Sequence, residues 1–481
     1  MNIKNLCGFI SAVFCAAMLY TPANAGLATV GAVHDYVQKK WEIEIPYAPA
    51  TAGNIPNMRY IMQLVDAANE ELNEYPISNY ANNTKYATSK IAADTAARDA
   101  VDTLIRKIEP YFFFTPATTS NTYSFQISAA GTFDIDWGDG KKQTIEKTNT
   151  NVQTISHTYA SAANAYEIKL GGKATAYSTS ETTAAISFTT AVARLKSIRG
   201  CLGCVFSTID DERVAADMRQ PRFYQTFNQN TALAGTIPAE LFNGVHGEPV
   251  SKMFQYLFYN CGKLTGGIPA NLFAGIQGAP TTMLFNVTFY GCSGLTGSIP
   301  ENLFAGIKGP PAPHVFRTTF YNCSGLTGAI PEKLFEGIQG PPAEYMFYSV
   351  FHGCSNLSGS IPEKLFAGIK GNAAEYMFGY AFEGCRNLSG DIPKDLFAGI
   401  NPTGEYMPVM FDQTFGSCSM LTGLSPKIGG KYLYEIWPAA APQTYTGATC
   451  LSDYACIPKN WGGAGTKQPG ECEPVVEEGG D

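Results

Sequence analysis

Ile-Pro pairs stand at 237, 268, 299, 330, 361 and 392, a period of 31 without a slip. Around them one pattern of residues runs from Phe223 to Gly423 in six copies, with a degenerate seventh. In one copy it reads Phe285, Phe289, Cys292, Leu295, Gly297, Ile299, Pro300, Leu303, Phe304, Gly306, Ile307, and adding 31 to each number returns the same residue types from Phe316 to Ile338. A fixed period of this length predicts stacked units, because no single unit can bury its apolar face without a neighbour.

Within one unit, Phe-x-x-x-Phe-x-x-Cys spaces apolar positions by four and three, which predicts a short helix with both rings and the sulfur on one side. Leu-x-Gly-x-Ile alternates and predicts a short strand that the proline ends. Leu-Phe-x-Gly-Ile predicts a second helical turn. The sixfold cysteine file (Cys261, Cys292, Cys323, Cys354, Cys385, Cys418) reads as a column of small buried hydrophobes, since no histidine recurs beside it. Asn230 replaces cysteine in the first copy.

The 481 residues have room for about three domains. Residues 1–25 read as a signal peptide, with Lys4, an apolar run from Leu6 to Leu19 and Ala23-Asn24-Ala25 as cleavage site. Residues 26–110 read as a helical hairpin or stalk, from the spacing of Met58, Ile61, Met62 and Val65 and then of Ile91, Val101, Leu104 and Ile108. A dimerising coiled coil is the alternative there.

From Tyr111 the period changes to two, in Tyr123-Ser-Phe125-Gln-Ile127 and Phe133-Asp-Ile135-Asp-Trp137, which predicts a β-sandwich over 111–180. Asp134, Asp136 and Asp139 fail the register of an EF-hand-type calcium loop and read as a hairpin turn. Residues 181–222 read as an N-terminal cap for the repeats, with Cys201 and Cys204 as a structural disulfide. Residues 427–481 read as a C-terminal cap, with Tyr432 to Trp437 as a closing strand, and a disordered tail; Cys450–Cys456 is the preferred disulfide and Cys472 is left unassigned.

Two resemblances follow from these residues. Phe133-Asp-Ile-Asp-Trp-Gly-Asp-Gly140 with His157-Thr-Tyr159 resembles the PKD domain, an immunoglobulin-like sandwich. Phe289, Cys292 and Leu295, with Ile299-Pro300 behind them, resemble the leucine-rich repeats of BspA-like bacterial surface antigens, and Leu-Thr-Gly-Ser-Ile-Pro300 is similar to the plant-type repeat. The fold class expected is therefore α+β and multi-domain: a leucine-rich-repeat solenoid of about seven 31-residue units, each a short strand plus short helices, behind a β-sandwich and an N-terminal helical segment. The resemblance implies an exported protein of adhesion and protein binding.

No catalytic motif is present, the five histidines are scattered, and no cofactor or metal is implied, so the chain reads as a binding protein and not an enzyme. A net charge of −8 disfavours nucleic acid and anionic membranes as partners. An extracellular protein or glycan remains, and no transmembrane helix is expected in the mature chain. Secretion, the cell surface and the periplasm stay open as locations. Candidate contact residues are those that vary while the frame repeats: Tyr256, His314, Arg317, Tyr345, Tyr348, Tyr376, Tyr380 and Tyr406. An enzyme of envelope polysaccharide and a purely structural spacer are the alternatives.

Overall fold

The computed structural model describes residues 111–190 and 193–472. The signal peptide and helical stalk expected over 1–110, and most of the tail, lie outside them. The described residues belong to one compact unit, from Pro110 onwards.

Eight strands open this unit: β1 (Phe112–Pro116), β2 (Thr122–Ile127), β3 (Ala130–Asp136), β4 (Lys142–Lys147), β5 (Gln153–Thr158), β6 (Ile168–Ala176), β7 (Ile186–Ser187) and β8 (Leu195–Gly200). They pair antiparallel as a five-stranded sheet, order β4-β3-β6-β1-β8, and a three-stranded sheet, order β5-β2-β7. Alternation is the cause. Tyr123, Phe125 and Ile127 point inward from β2, and Phe133 and Ile135 from β3, while the residues between them meet solvent. Both sheets run past residue 180, so the segment expected to cap the repeats also supplies β7 and β8 to the sandwich.

The α+β leucine-rich-repeat solenoid does not form. The described residues are sheet, turn and loop, only about 5% helical. Their two α-helices, α1 (Leu202–Val205) and α2 (Leu433–Ile436), have four residues each and lie outside the repeats. Strands between repeats shrink to pairs of two residues, such as β9 (Gly235–Thr236) with β10 (Leu264–Thr265) and β11 (Gly390–Asp391) with β12 (Leu421–Thr422), or to single parallel bridges such as Gly328 with Leu357. The expected closing strand is also cut short: β14 (Lys431–Tyr432) pairs with β13 (Lys427–Ile428), and the chain enters α2 at Leu433.

A ribbon of overlapping tight turns stands where a helix was expected. In 281–292 the amides of Leu284, Asn286, Thr288 and Cys292 each bond the carbonyl three residues back. Between them, the amides of Met283, Phe285, Val287, Phe289 and Gly291 donate across to Pro313, Val315, Arg317, Thr319 and Tyr321 of the next copy, at 2.7–3.1 Å. An α-helix would have used all of these internally. The ribbon also has a four-residue rhythm, because positive φ recurs at Met283, Val287 and Gly291, the position a type II turn requires. Phe285 and Phe289 therefore still share a face, and spacing alone could not tell the two backbones apart.

Inward side chains lie over their equivalents. Phe285 stacks on Phe316 at 5.7 Å, Phe289 on Phe320 at 5.7 Å and Phe304 on Phe335 at 6.2 Å. Rings of one file meet those of another at a tilt, as Phe285 does Phe304 at 4.6 Å and 47°. Such pairs contribute roughly 0.5–1.5 kcal/mol beyond area burial. Gly306 permits this approach, since a Cβ there would sit 2.1 Å from the Ile276 carbonyl oxygen.

The file containing Phe289 begins in the sandwich, where Phe188 stacks on Phe227 at 5.8 Å, and ends where Phe415 meets Tyr445 at 5.7 Å. The segment around β7 takes the place of a preceding copy: Ala185 and Phe188 donate their amides to the Arg222 and Thr226 carbonyls. Asn230 completes that junction. It is fully buried, accepts from the Leu195 amide at 2.6 Å and donates to the Phe188 carbonyl at 3.1 Å.

Candidate binding face of the turn ribbon

Residues that vary between copies project from the outer side of the ribbon, and six of the eight expected contact residues converge there. His314 stacks on Tyr345 at 4.6 Å, and Tyr345 on Tyr376 at 4.1 Å. Arg317 places its guanidinium carbon 4.7 Å from the Tyr345 ring centre and 5.5 Å from that of Tyr348. Tyr348 meets Tyr376 and Tyr380 edge-on at 5.8 and 5.5 Å. All six are half-buried. His314, Tyr345, Tyr376 and Tyr380 also sit at the ribbon's left-handed positions, φ 54–59°, where polar and aromatic residues stand in for glycine.

The other two lie elsewhere. Tyr256 belongs to a separate group with Tyr224 at 6.4 Å and Tyr259 at 5.7 Å. Tyr406 packs into the C-terminal cap against Trp437 and Trp461 and donates to Asp412 at 3.3 Å. The cause is a slip in the period: Phe378 stacks on Phe411, 33 positions on, so Val409 takes the place that Tyr376 has one copy earlier.

A second ladder was missed. Tyr259, Tyr290, Tyr321 and His352 stack at 4.9, 4.3 and 4.3 Å, and His352 Nδ1 then lies 2.8 Å from Glu383 Oε2, outside hydrogen-bonding geometry. Its signal was on view: reading down the residue after the second phenylalanine, from Phe258 to Phe382, gives Tyr, Tyr, Tyr, His, Glu.

Burial, and the Tyr376 hydroxyl beside it, push the Tyr345 phenol up to about 12, and burial raises Tyr348 and Tyr380 too. At neutral pH these phenols are hydrogen-bond donors. Burial first, then the Arg317 charge, hold the His314 imidazole below its ordinary value despite Glu344. The cluster thus carries one full positive charge, on Arg317, near neutral pH.

The cysteine file supplies no chemistry to this face. Each thiol is buried and free, and donates to the carbonyl of the second phenylalanine in the preceding copy, as Cys323 does to Phe289 at 3.0 Å. Burial pushes Cys292, Cys354 and Cys418 up to about 12, which disfavours the thiolate needed for nucleophilic or metal chemistry.

Two disulfides form. Cys201–Cys204 is one, at the N-terminal end of α1. Cys450–Cys456 does not form: Cys456 pairs with Cys472 across a Cα separation of 6.2 Å, and Cys450 is exposed and free. Proximity in sequence had favoured Cys450, but the intervening turns carry Cys456 towards the end of the described chain.

Each aspartate of the sandwich turn already has a partner. Asp134 accepts from Thr144, Asp136 from the Gly138 amide, and Asp139 from the Lys141 amide and from His157 at 2.9 Å. Burial alone would raise the Asp139 carboxyl, but the His157 and Lys141 hydrogen bonds outweigh it and hold the group low. Among the described residues no group of three or more ligating side chains comes together. A groove of about 620 Å³ on another side of the repeats is lined by Glu332, Glu336, Lys333, Lys364 and Lys370, with Lys364 3.9 Å from Glu332. Its mixed charge leaves no isolated acid pair of the kind glycoside hydrolysis uses.

The sequence matches no family model and no curated protein, and the structure matches no solved structure.

Proposed function

We propose that this chain is an exported binding or adhesion protein whose recognition surface is the ribbon face around Arg317, engaging an extracellular protein or glycan. The observation that carries this reading is the segregation of constant and variable residues. The apolar side chains that recur every 31 positions are buried, while six of the residues that change form one half-buried cluster of tyrosine, histidine and arginine, residue types that include two of those concentrated at binding hot spots. A main-chain frame supports such use, because amide-to-carbonyl bonds between copies do not depend on which side chain is carried. The two disulfides suit an oxidising compartment. Among the described residues no helix is long and apolar enough to cross a membrane.

The test is retention of labelled full-length protein on arrays of extracellular-matrix proteins and glycans, beside a triple variant Arg317→Ala, Tyr348→Ala, Tyr376→Ala. Loss of a hot spot of about 2 kcal/mol weakens binding roughly 30-fold. A folded wild type retained by neither array, or a triple variant retained equally well, would refute the reading.

A further inference from the structure

Resting on that reading, we propose that the occupant of the Arg317 cluster is an extended polypeptide segment that places an acidic side chain on Arg317 and a basic side chain three residues away. Three observations lead there.

First, the Arg317 guanidinium lies against two rings, yet among the described residues it makes no ion pair and no side-chain hydrogen bond. Arginine presents a planar fork that takes a carboxylate in two parallel bonds, and one already held against rings loses less rotamer freedom on doing so. Neighbouring rings also exclude water, which strengthens the pair.

Second, the charge changes sign along the stack. Glu344 is exposed beside Tyr345 and Glu375 half-exposed beside Tyr376, one and two copies beyond Arg317. Copies joined by main-chain bonds lie about 4.8 Å apart, so the copy that carries Glu375 stands roughly 10 Å along the stack from the copy that carries Arg317. An extended chain advances about 3.3 Å per residue, so three residues cover that distance.

Third, the face argues against sugars. Tyr345, at the centre of the cluster, has His314 on one face and Tyr376 on the other, so it offers a pyranose an edge and a hydroxyl but no open face. Glu344 lies by His314 and Tyr345, and Glu383 and Asp412 by Tyr380, so acids flank the cluster and would repel a chain bearing an acid on every unit. A polypeptide with one acid and one base meets both signs.

The experiment uses full-length protein on an array of 11-residue peptides in a neutral background. The sets carry Glu and Lys three apart in either order, Glu and Lys adjacent, two Glu three apart, or no charge; beads of a polyuronate form a separate arm. The expected result is at least tenfold preference for Glu and Lys three apart, a tenfold loss in Arg317→Ala, and a switch to peptides with two Lys three apart in Arg317→Glu. Equal retention of neutral and charged peptides overturns the proposal while leaving the face a binding surface. Retention on polyuronate that Arg317→Ala abolishes overturns it in favour of an acidic glycan. No retention of any peptide, with thermal unfolding unchanged, overturns it too, and the matrix and glycan arrays then decide the wider reading.

Discussion

Replacing Asn230 by cysteine installs the residue that every later copy carries, and the structure says this should harm the protein. Asn230 is the only member of its file whose neighbour is the sandwich rather than a preceding copy. Its carboxamide serves the Leu195 amide at 2.6 Å and the Phe188 carbonyl at 3.1 Å, both buried. A thiol donates weakly and accepts more weakly, so it could reach the carbonyl but leave the amide unmet. A buried backbone group left without a partner costs about 1–3 kcal/mol, so Asn230→Cys should destabilise by about 1–3 kcal/mol. Urea denaturation of both full-length proteins measures the loss. Amide hydrogen exchange locates it, because Leu195 should lose protection while Phe320, deep in the repeats, keeps it. An unchanged midpoint, or a Leu195 amide as slow as in the wild type, would refute the reasoning. The reciprocal change, Cys323→Asn, should also destabilise, since only the Phe289 carbonyl is there to receive its donors.

Four further outcomes are expected. Gly306→Ala should lower stability well beyond Gly297→Ala: the first forces a Cβ to 2.1 Å from a carbonyl oxygen, whereas the second meets nothing within 4 Å and bears only the roughly 1 kcal/mol of a left-handed alanine, which paired thermal melts can rank. Native protein treated with a thiol reagent and mapped by mass spectrometry should be labelled at Cys450 long before Cys261 to Cys418, and fast labelling of the column would contradict its burial. His314 has its folded value depressed, so the unfolded chain takes up the proton first; stability should fall as pH drops below about 6.5, and His314→Gln should flatten that slope in melts from pH 7.5 to 5. Asp139 is depressed too, so its contribution is present above the ordinary aspartate value and lost as pH falls through the lower folded one; Asp139→Asn should remove that acid-side loss in melts from pH 5 to 2.

The sandwich strands were legible because alternation is written in consecutive residues: Phe133-Asp-Ile135-Asp-Trp137 can bury its rings only as a strand. The period of the repeats was equally plain. Their backbone was not, for Phe285 and Phe289 lie four apart on one face whether the intervening amides bond within the chain, as in a helix, or alternately to the next copy, as they do. Positive φ was signalled where Gly291, Gly353 and Gly384 share a position with Asn260 and Asn322, two residue types that tolerate it. In the proposed binding cluster, His314, Arg317 and the four tyrosines were marked by their variability, whereas Tyr406 misled because the two-residue slip before Phe411 leaves its neighbourhood looking regular. The Cys456–Cys472 pairing was beyond reach, since three cysteines in an irregular cap offer no spacing rule.

Both ends of the ribbon are finished by something that is not a repeat. Before it, Ala185 and Phe188 occupy the first copy's outward carbonyls; after it, Pro442, Thr444 and Thr446 receive the last copy's amides, and Asn460 and Trp461 receive those of Gln443 and Tyr445 in turn. A ladder cut off anywhere in between would offer a row of unmet donors or acceptors, to which a second molecule could add in register and a third after it. By meeting those edge groups, the terminators fix the count of rungs and remove the open donors and acceptors that fibre growth would need.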